Sequence, residues 1–270
     1  MNNFKFNKQE YLKRINFDGE IFVDFESLKS LHRAQHLTIP FENFDICLGR
    51  NIGIDPVAIF QKLVNHKRGG YCFELNGLLL IALQSFGFEA RPLLGRVHLS
   101  REITGRTHQT TLVTIEDQSW VVDLGFGAEA PLVPIPLVYN EPISFENQTY
   151  KLINDEVYGY ILQNNPNGHW KNLYSFDLSP VFDIDIKLGN HYTSTHPDSF
   201  FTNDRIAALP IENGMISLYH NKLKKVINGK EKIISLKDDS SYLAVLEKEF
   251  GIEIDAGYGE LKRLRGGMGL

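Results

Sequence analysis

Cysteine is scarce in this chain, with two in 270 residues. That scarcity excludes a disulfide scaffold, and a chain of this length can bury a core without one. Zinc fails for want of ligands: neither Cys47 nor Cys72 belongs to a C-x-x-C pair or has ligands nearby, and no metal is expected. Long apolar runs are missing too. None approaches the roughly 20 residues of a membrane span, and the opening "MNNFKFNKQEYLKRINFDGE" lacks the basic-then-apolar pattern of a secretory signal. The expectation is a cytoplasmic protein with reduced thiols. Positive charge is not in excess. The net charge of −5 argues against nucleic acid or an anionic membrane as a partner. Internal repeats and low-complexity segments are absent, and the Gly-rich end "GYGELKRLRGGMGL" reads as a loose tail.

What is present reads as α+β: an N-terminal helical bundle (1–87), a central antiparallel β-barrel (88–201) and a C-terminal α/β lid with tail (202–270). In "DFESLKSLHRAQHL", Leu28, Leu31, Ala34 and Leu37 recur at threes behind a capping Asp24, and Pro40 ends the run. "DPVAIFQKLVNHK" opens with Asp55 as cap and Pro56 at the first helical position, with Gly69 and Gly70 as the stop. "CFELNGLLLIALQSFG" is apolar nearly all round, hence a buried helix, ended by Gly87. Short β-rich runs follow, "EARPLLGRV", "HQTTLVTI", "SWVVDLGF", "TYKLI", "VYGYIL" and "DIDIKL", all expected as strands of a bent sheet or small barrel. Asn228-Gly229 marks a hairpin, and "SSYLAVLEKEFG" a closing helix. His191 and His196, in the turn-like "HYTSTHPD", read as surface histidines. Cys47 reads as structural.

Cys72 stands in the first turn of the buried helix, where free N–H groups and the dipole favour a thiolate and could stabilise an oxyanion. A buried core cysteine is the common alternative. The segment "HQTTLVTIEDQSWVVDLGFG" folds back as a hairpin about Glu116-Asp117. That register sets Asp123 opposite Thr110, with His108 its diagonal neighbour on the same face. A carboxylate in so apolar a strand requires a partner, and His108 supplies one. Cys72, His108 and Asp123 would then make a nucleophile, its base and the group that orients the base. Without the cysteine, the pair is merely a buried hydrogen bond.

These residues sit in motifs resembling the arylamine N-acetyltransferases: "YLKRI" (11–15), "LHRAQHLTIPFENFD" (31–45), "RGGYCFELN" (68–76), "HQTTLV" (108–113), "VDLGFG" (122–127) and "STHPDSFF" (194–201). The family's usual "VDVGFG" is "VDLGFG" here, and the C-terminal third matches loosely. The resemblance implies the bundle, barrel and lid around a papain- and transglutaminase-like cysteine core, and a Cys72–His108–Asp123 triad. It also implies ping-pong transfer from acetyl-CoA, the co-substrate, through an acetyl-cysteine thioester to an arylamine, arylhydrazine or N-hydroxyarylamine. By the same resemblance Phe41, Val97 and Phe126 fall in the acceptor pocket, and Thr107 and Gly127 where CoA's thiol arm approaches.

The loop "GRVHLSREITGRTH" (95–108) carries Arg96, Arg101 and Arg106 against one acid, Glu102, and is read as steering the CoA phosphates. A solvated loop with incidental arginines is the alternative. Two rival functions use the same residues: an amide synthase or other acyltransferase on the same triad, and a non-catalytic ligand-binding module. A peptidase is disfavoured by the missing "CGSCW" signature.

Overall fold

The computed structural model describes residues 4–99, 102–146, 148–166 and 168–261. Its first helices are α1 (Lys8–Arg14) and α2 (Phe25–Thr38). Asp24 accepts the Ser27 N–H at the start of α2, whose Leu28 and Leu31 are fully buried. The first 87 residues are not helical throughout, as the sequence suggested. Past Pro40 the chain makes a short strand, β1 (Phe41–Glu42), and one turn of helix, α3 (Phe44–Cys47).

Asp55 caps α4 (Pro56–Phe60), which continues as a wide π-helical turn over 61–65. Gly69 and Gly70 do not stop this helix. It ends earlier, where Lys67 takes a left-handed φ of 52° and the Arg68 N–H returns to the Lys62 carbonyl. Gly69 serves close approach instead, since a Cβ there would lie 2.2 Å from the Pro40 carbonyl oxygen. Helix α5 (Cys72–Phe86) follows, buried as its all-round apolar surface requires, and ends at Gly87 with φ 97°.

The central strands are β2 (Glu89–Val97), β3 (Arg106–Ile115), β4 (Gln118–Val122), β5 (Ile135–Pro136), β6 (Ile143–Phe145), β7 (Gln148–Asp155), β8 (Gly159–Asn164) and β9 (Lys171–Phe176). They form one antiparallel sheet in the order β5-β4-β3-β2-β9-β8-β7-β6. The sheet curls nearly closed around Leu93, Leu112, Val121, Leu152, Leu162 and Tyr174, and Tyr139 bridges to Leu152 across the gap.

"DIDIKL" is not a strand. It opens α6 (Asp183–Thr195), which also carries His191. The alternation of Asp and Ile mimics a strand period. However, Asp183 and Asp185 complement the positive end of a helix, and Asp185 accepts the Phe182 N–H at 2.9 Å. Ile184 and Leu188 are left exposed.

After α7 (Phe200–Asn203), the strands β10 (Ile206–Ile211), β11 (Gly214–Tyr219), β12 (Lys222–Ile227) and β13 (Lys230–Ser235) form a meander. Its outer edge is completed by β1, with Phe41 opposite Ala208. Asn228 and Gly229 both take positive φ in the last hairpin, as a two-residue primed turn demands. Helix α8 (Ser241–Phe250) packs Tyr242, Leu246 and Phe250 with Phe44 and Cys47 of α3. Of the Gly-rich end, residues 262–270 lie outside the described residues. Among the described residues no helix is long and apolar enough to cross a membrane.

Candidate active site

Cys72 is 3% exposed at the first position of α5 and unpaired with Cys47. The cap before it is unusual: the Tyr71 N–H donates to the Glu74 carboxylate at 3.1 Å, so a side chain one turn ahead satisfies it. The thiol donates weakly to the Thr107 carbonyl, 3.8 Å away. From the far side Gly125 presses on Cys72. A Cβ there would lie 2.5 Å from the Cys72 Cα, so only glycine fits.

The β3–β4 hairpin has the register read from the sequence. Thr111 pairs with Val122 about the Glu116-Asp117 turn, leaving Asp123 just past the end of β4, level with Thr110. His108 and Asp123 meet on one face, Nε2 to Oδ2 at 2.8 Å, with 3% and 1% exposure. Cys72 lies close enough to the same ring to favour its charged form. Burial opposes an imidazolium here, but the charge and hydrogen bond of Asp123, with Cys72 beside it, overcome that and push His108 up to about 10. Burial likewise opposes the carboxylate of Asp123, but His108, Asn76 and the Gly125 N–H hold it below the usual range.

Sequence reading passed over several supports of this pair. Asn76, one turn after Cys72 on α5, donates to Asp123 Oδ1 at 2.9 Å and accepts the Leu124 N–H at 2.9 Å. Its signals were the i, i+4 spacing from Cys72 and its place at the end of "RGGYCFELN". Tyr174 packs its ring 4.6 Å from that of His108, and Phe126 lies 5.0 Å from both rings, so the three aromatics form one cluster. Burial first, and Asp123 second, keep the Tyr174 hydroxyl neutral. Its distance in sequence gave no hint of this. His32, fully buried on α2, reaches the Asp123 carbonyl at 3.4 Å. Burial lowers its imidazole to about 4, so it is neutral at pH 7.

Beneath Cys72 lies a charged cluster. Arg68 donates to Glu42 through Nε and Nη2 at 3.0 and 2.8 Å, and approaches Asp45 at 3.3 Å. Lys62 bridges Asp45 and Glu74 at 2.7 and 2.8 Å. Burial alone would discharge Lys62; Glu74, Glu42 and Asp45 outweigh it and keep the ammonium charged. The cluster ties the 40–45 and 68–71 loops together directly before the cysteine.

Cys72, His108, Asp123, Thr107 and Phe126 are therefore brought together. Phe41 lies beyond the 125–127 turn, 3.9 Å from where a Cβ of Gly127 would be, and packs against Phe201. Val97 stands opposite Tyr174 across β2 and β9. An open cleft of about 650 Å³ adjoins Thr107, walled by Arg106 on one side and by Val181, Leu188, Gly189 and Tyr192 on the other. The loop arginines are less free than the sequence implied. Arg106 is paired with Asp177, an acid 71 residues away, and Arg96 donates to the Thr104 carbonyl at 3.2 Å. Arg101 lies outside the described residues.

Comparison with known proteins agrees with this architecture. A family model described as N-acetyltransferase matches residues 24–258. An arylamine N-acetyltransferase of Escherichia coli K12 is 36% identical over 250 residues, 91% of this chain and 88% of that protein. The solved arylamine N-acetyltransferase from Salmonella typhimurium superposes with a TM-score of 0.89 at 32% identity, covering 94% of this chain and 96% of that one. The Mycobacterium marinum enzyme in complex with CoA gives 0.89 at 30% identity, covering 94% and 97%. The protein is thus an acyltransferase. More narrowly, the chain belongs to the arylamine N-acetyltransferase family.

Proposed function

We propose that this enzyme moves an acetyl group from acetyl-CoA to an arylamine, arylhydrazine or N-hydroxyarylamine in two half-reactions through Cys72. The observation that carries the reading is the buried chain of contacts from Cys72 through His108 to Asp123. His108 takes the thiol proton, and the imidazolium so formed is stabilised by Asp123. The Cys72 sulfur attacks the thioester carbonyl, the carbon–sulfur bond to CoA breaks, and the departing thiolate recovers the proton from His108. One thiolate replaces another, so the exchange is nearly balanced. In the second half-reaction the amine nitrogen attacks the acetyl-cysteine carbonyl. His108 accepts the proton lost by nitrogen, and Cys72 leaves as thiolate.

Phe41, Phe126 and Val97 are proposed to line the acceptor site, because an aromatic amine carries little charge at neutral pH and an apolar pocket suits it. Thr107 and Gly127 flank the approach of CoA's thiol arm, with the cleft beside Thr107 as its route. Catalysis requires a free thiol, which suits a reducing compartment such as the cytoplasm.

Intact mass after mixing with acetyl-CoA alone tests the reading. We expect one acetyl group on the wild type, none on Cys72→Ala, and discharge on adding an arylamine or arylhydrazine. A wild type that gains no mass while its Cys72 alkylates readily would rule out acetyl-CoA as donor.

A further inference from the structure

Helix α6 supplies none of the three reacting groups, yet it is fastened to both segments that carry them. Tyr71, the residue before Cys72, is fully buried, and its hydroxyl donates to Oδ1 of Asn190 on α6. Asn190 is itself buried and donates through Nδ2 to the Ile52 carbonyl at 3.2 Å. The Tyr71 ring is boxed by Phe73 at 5.4 Å and Phe201 at 5.6 Å, so the aim of the hydroxyl is fixed. One residue earlier on α6, Gly189 seats against both sides of the site. A Cβ there would lie 2.8 Å from the Phe73 ring and 3.2 Å from the Arg106 carbonyl oxygen. Phe73 follows the cysteine, and Arg106 precedes His108 by two residues. The same helix walls the cleft with Leu188, Gly189 and Tyr192.

We infer that the Tyr71–Asn190 hydrogen bond is a positioning element of acyl transfer. It anchors α6 to the residue before the nucleophile, so the helix that walls the cleft also holds Cys72 in register with His108. The inference rests on Cys72 being the nucleophile. Tyr71 and Asn190 touch no reacting atom and act through Cys72. Removing the hydroxyl leaves Asn190 Oδ1 buried without that donor and frees the first turn of α5 to shift against the β3–β4 hairpin.

Tyr71→Phe deletes one oxygen and keeps the ring packing. Asn190→Ala breaks the bond from the other side, so the test survives if one variant fails to fold. For each variant and the double mutant, the rate of Cys72 alkylation by iodoacetamide is measured across pH, beside the rate of acetylation by acetyl-CoA and the thermal midpoint. Each single variant should displace the alkylation profile from that of the wild type and slow acetylation by roughly tenfold, the scale of one lost hydrogen bond. The double mutant should be no slower than the worse single one. An unmoved pH profile and acetylation rate would overturn the inference, even if the thermal midpoint fell, because the bond would then serve packing alone. Fully additive losses would overturn it as well. The two readings fail separately. A wild type that alkylates as a histidine-paired thiol but takes no acetyl group removes acetyl-CoA as donor, and the alkylation profiles still decide the role of Tyr71.

Discussion

At the scale of single residues, the site depends on a carboxylate that three donors hold ionised in a place where it would otherwise be neutral. Asp123 receives His108 on one oxygen, and Asn76 and the Gly125 N–H on the other. Its effect on His108 has a definite sign. With the imidazole raised to about 10, the pair stabilises the fold fully below the ordinary histidine range and loses that contribution as pH rises through about 10. In Asp123→Asn the largest support of the imidazolium is lost and burial weighs against it with only Cys72 opposing, so His108 should fall well below about 10. An amide facing Nε2 would also fix the wrong tautomer. We expect acetyl transfer to drop by three to four orders of magnitude, roughly the loss seen for the equivalent change in a serine triad. Alkylation of Cys72 at neutral pH should slow as well, since the base beside it is weakened. Single-turnover acetylation and iodoacetamide kinetics beside the wild type check both losses.

Among elements, the loop that delivers Cys72 is held by ionic contacts as well as by backbone bonds between Gly70 and the 40–42 segment. Arg68 is the hinge of that arrangement, bonded to a Glu42 whose side chain is fully buried. Arg68→Met keeps much of the packing but removes the guanidinium bonded to Glu42, leaving the Phe44 N–H and the more distant Lys62 to support it, a change that typically costs up to about 3–5 kcal/mol when the partner is buried. Urea unfolding should show a loss of that order. The double variant Glu42→Gln with Arg68→Met should recover part of it, since the uncompensated charge is gone. A single-variant loss under about 1 kcal/mol, the ordinary worth of a surface pair, would mean that water reaches the cluster.

For the molecule as a whole, the C-terminal sheet is not an appendage. Its edge strand β1 comes from the helical N-terminal part, and its core includes Phe44 and Cys47 from the same part. On α2, Arg33 pairs with Glu146 beside the barrel strand β6 at 3.0 Å and with Glu212 in the β10–β11 turn at 3.6 Å, which brings all three parts to one side chain. A chain ending at Asn203 would leave β1 without its ladder and Phe44 without its cover. We expect that truncation to bind a hydrophobic dye and to lose a cooperative thermal transition. A sharp transition with little dye binding would show instead that the first 203 residues fold alone.

The local rules carried far along this chain. Caps and apolar periodicity marked α2 and α4, apolar content marked α5, and Gly87 marked the end of α5. The polar Glu116-Asp117 turn set the register that pairs His108 with Asp123, because a two-residue period leaves one alternative and that one buries the wrong face. Local rules misled where two periods coexist, as in "DIDIKL", and where charge was counted only along the loop, so that Asp177 was missed as the partner of Arg106. Nothing local could show β1, which is a strand only because β10 lies beside it. Tyr174 and Asn190 carry no motif, His32 stands in one that gives no sign of its partner, and their relation to the site arises from packing between segments remote in sequence. The sequence by itself determined the nature of the proposed reacting groups and the elements that bear them. Only the tertiary structure decided which buried partners fix those groups, because desolvation and hydrogen bonding are set by neighbours in space.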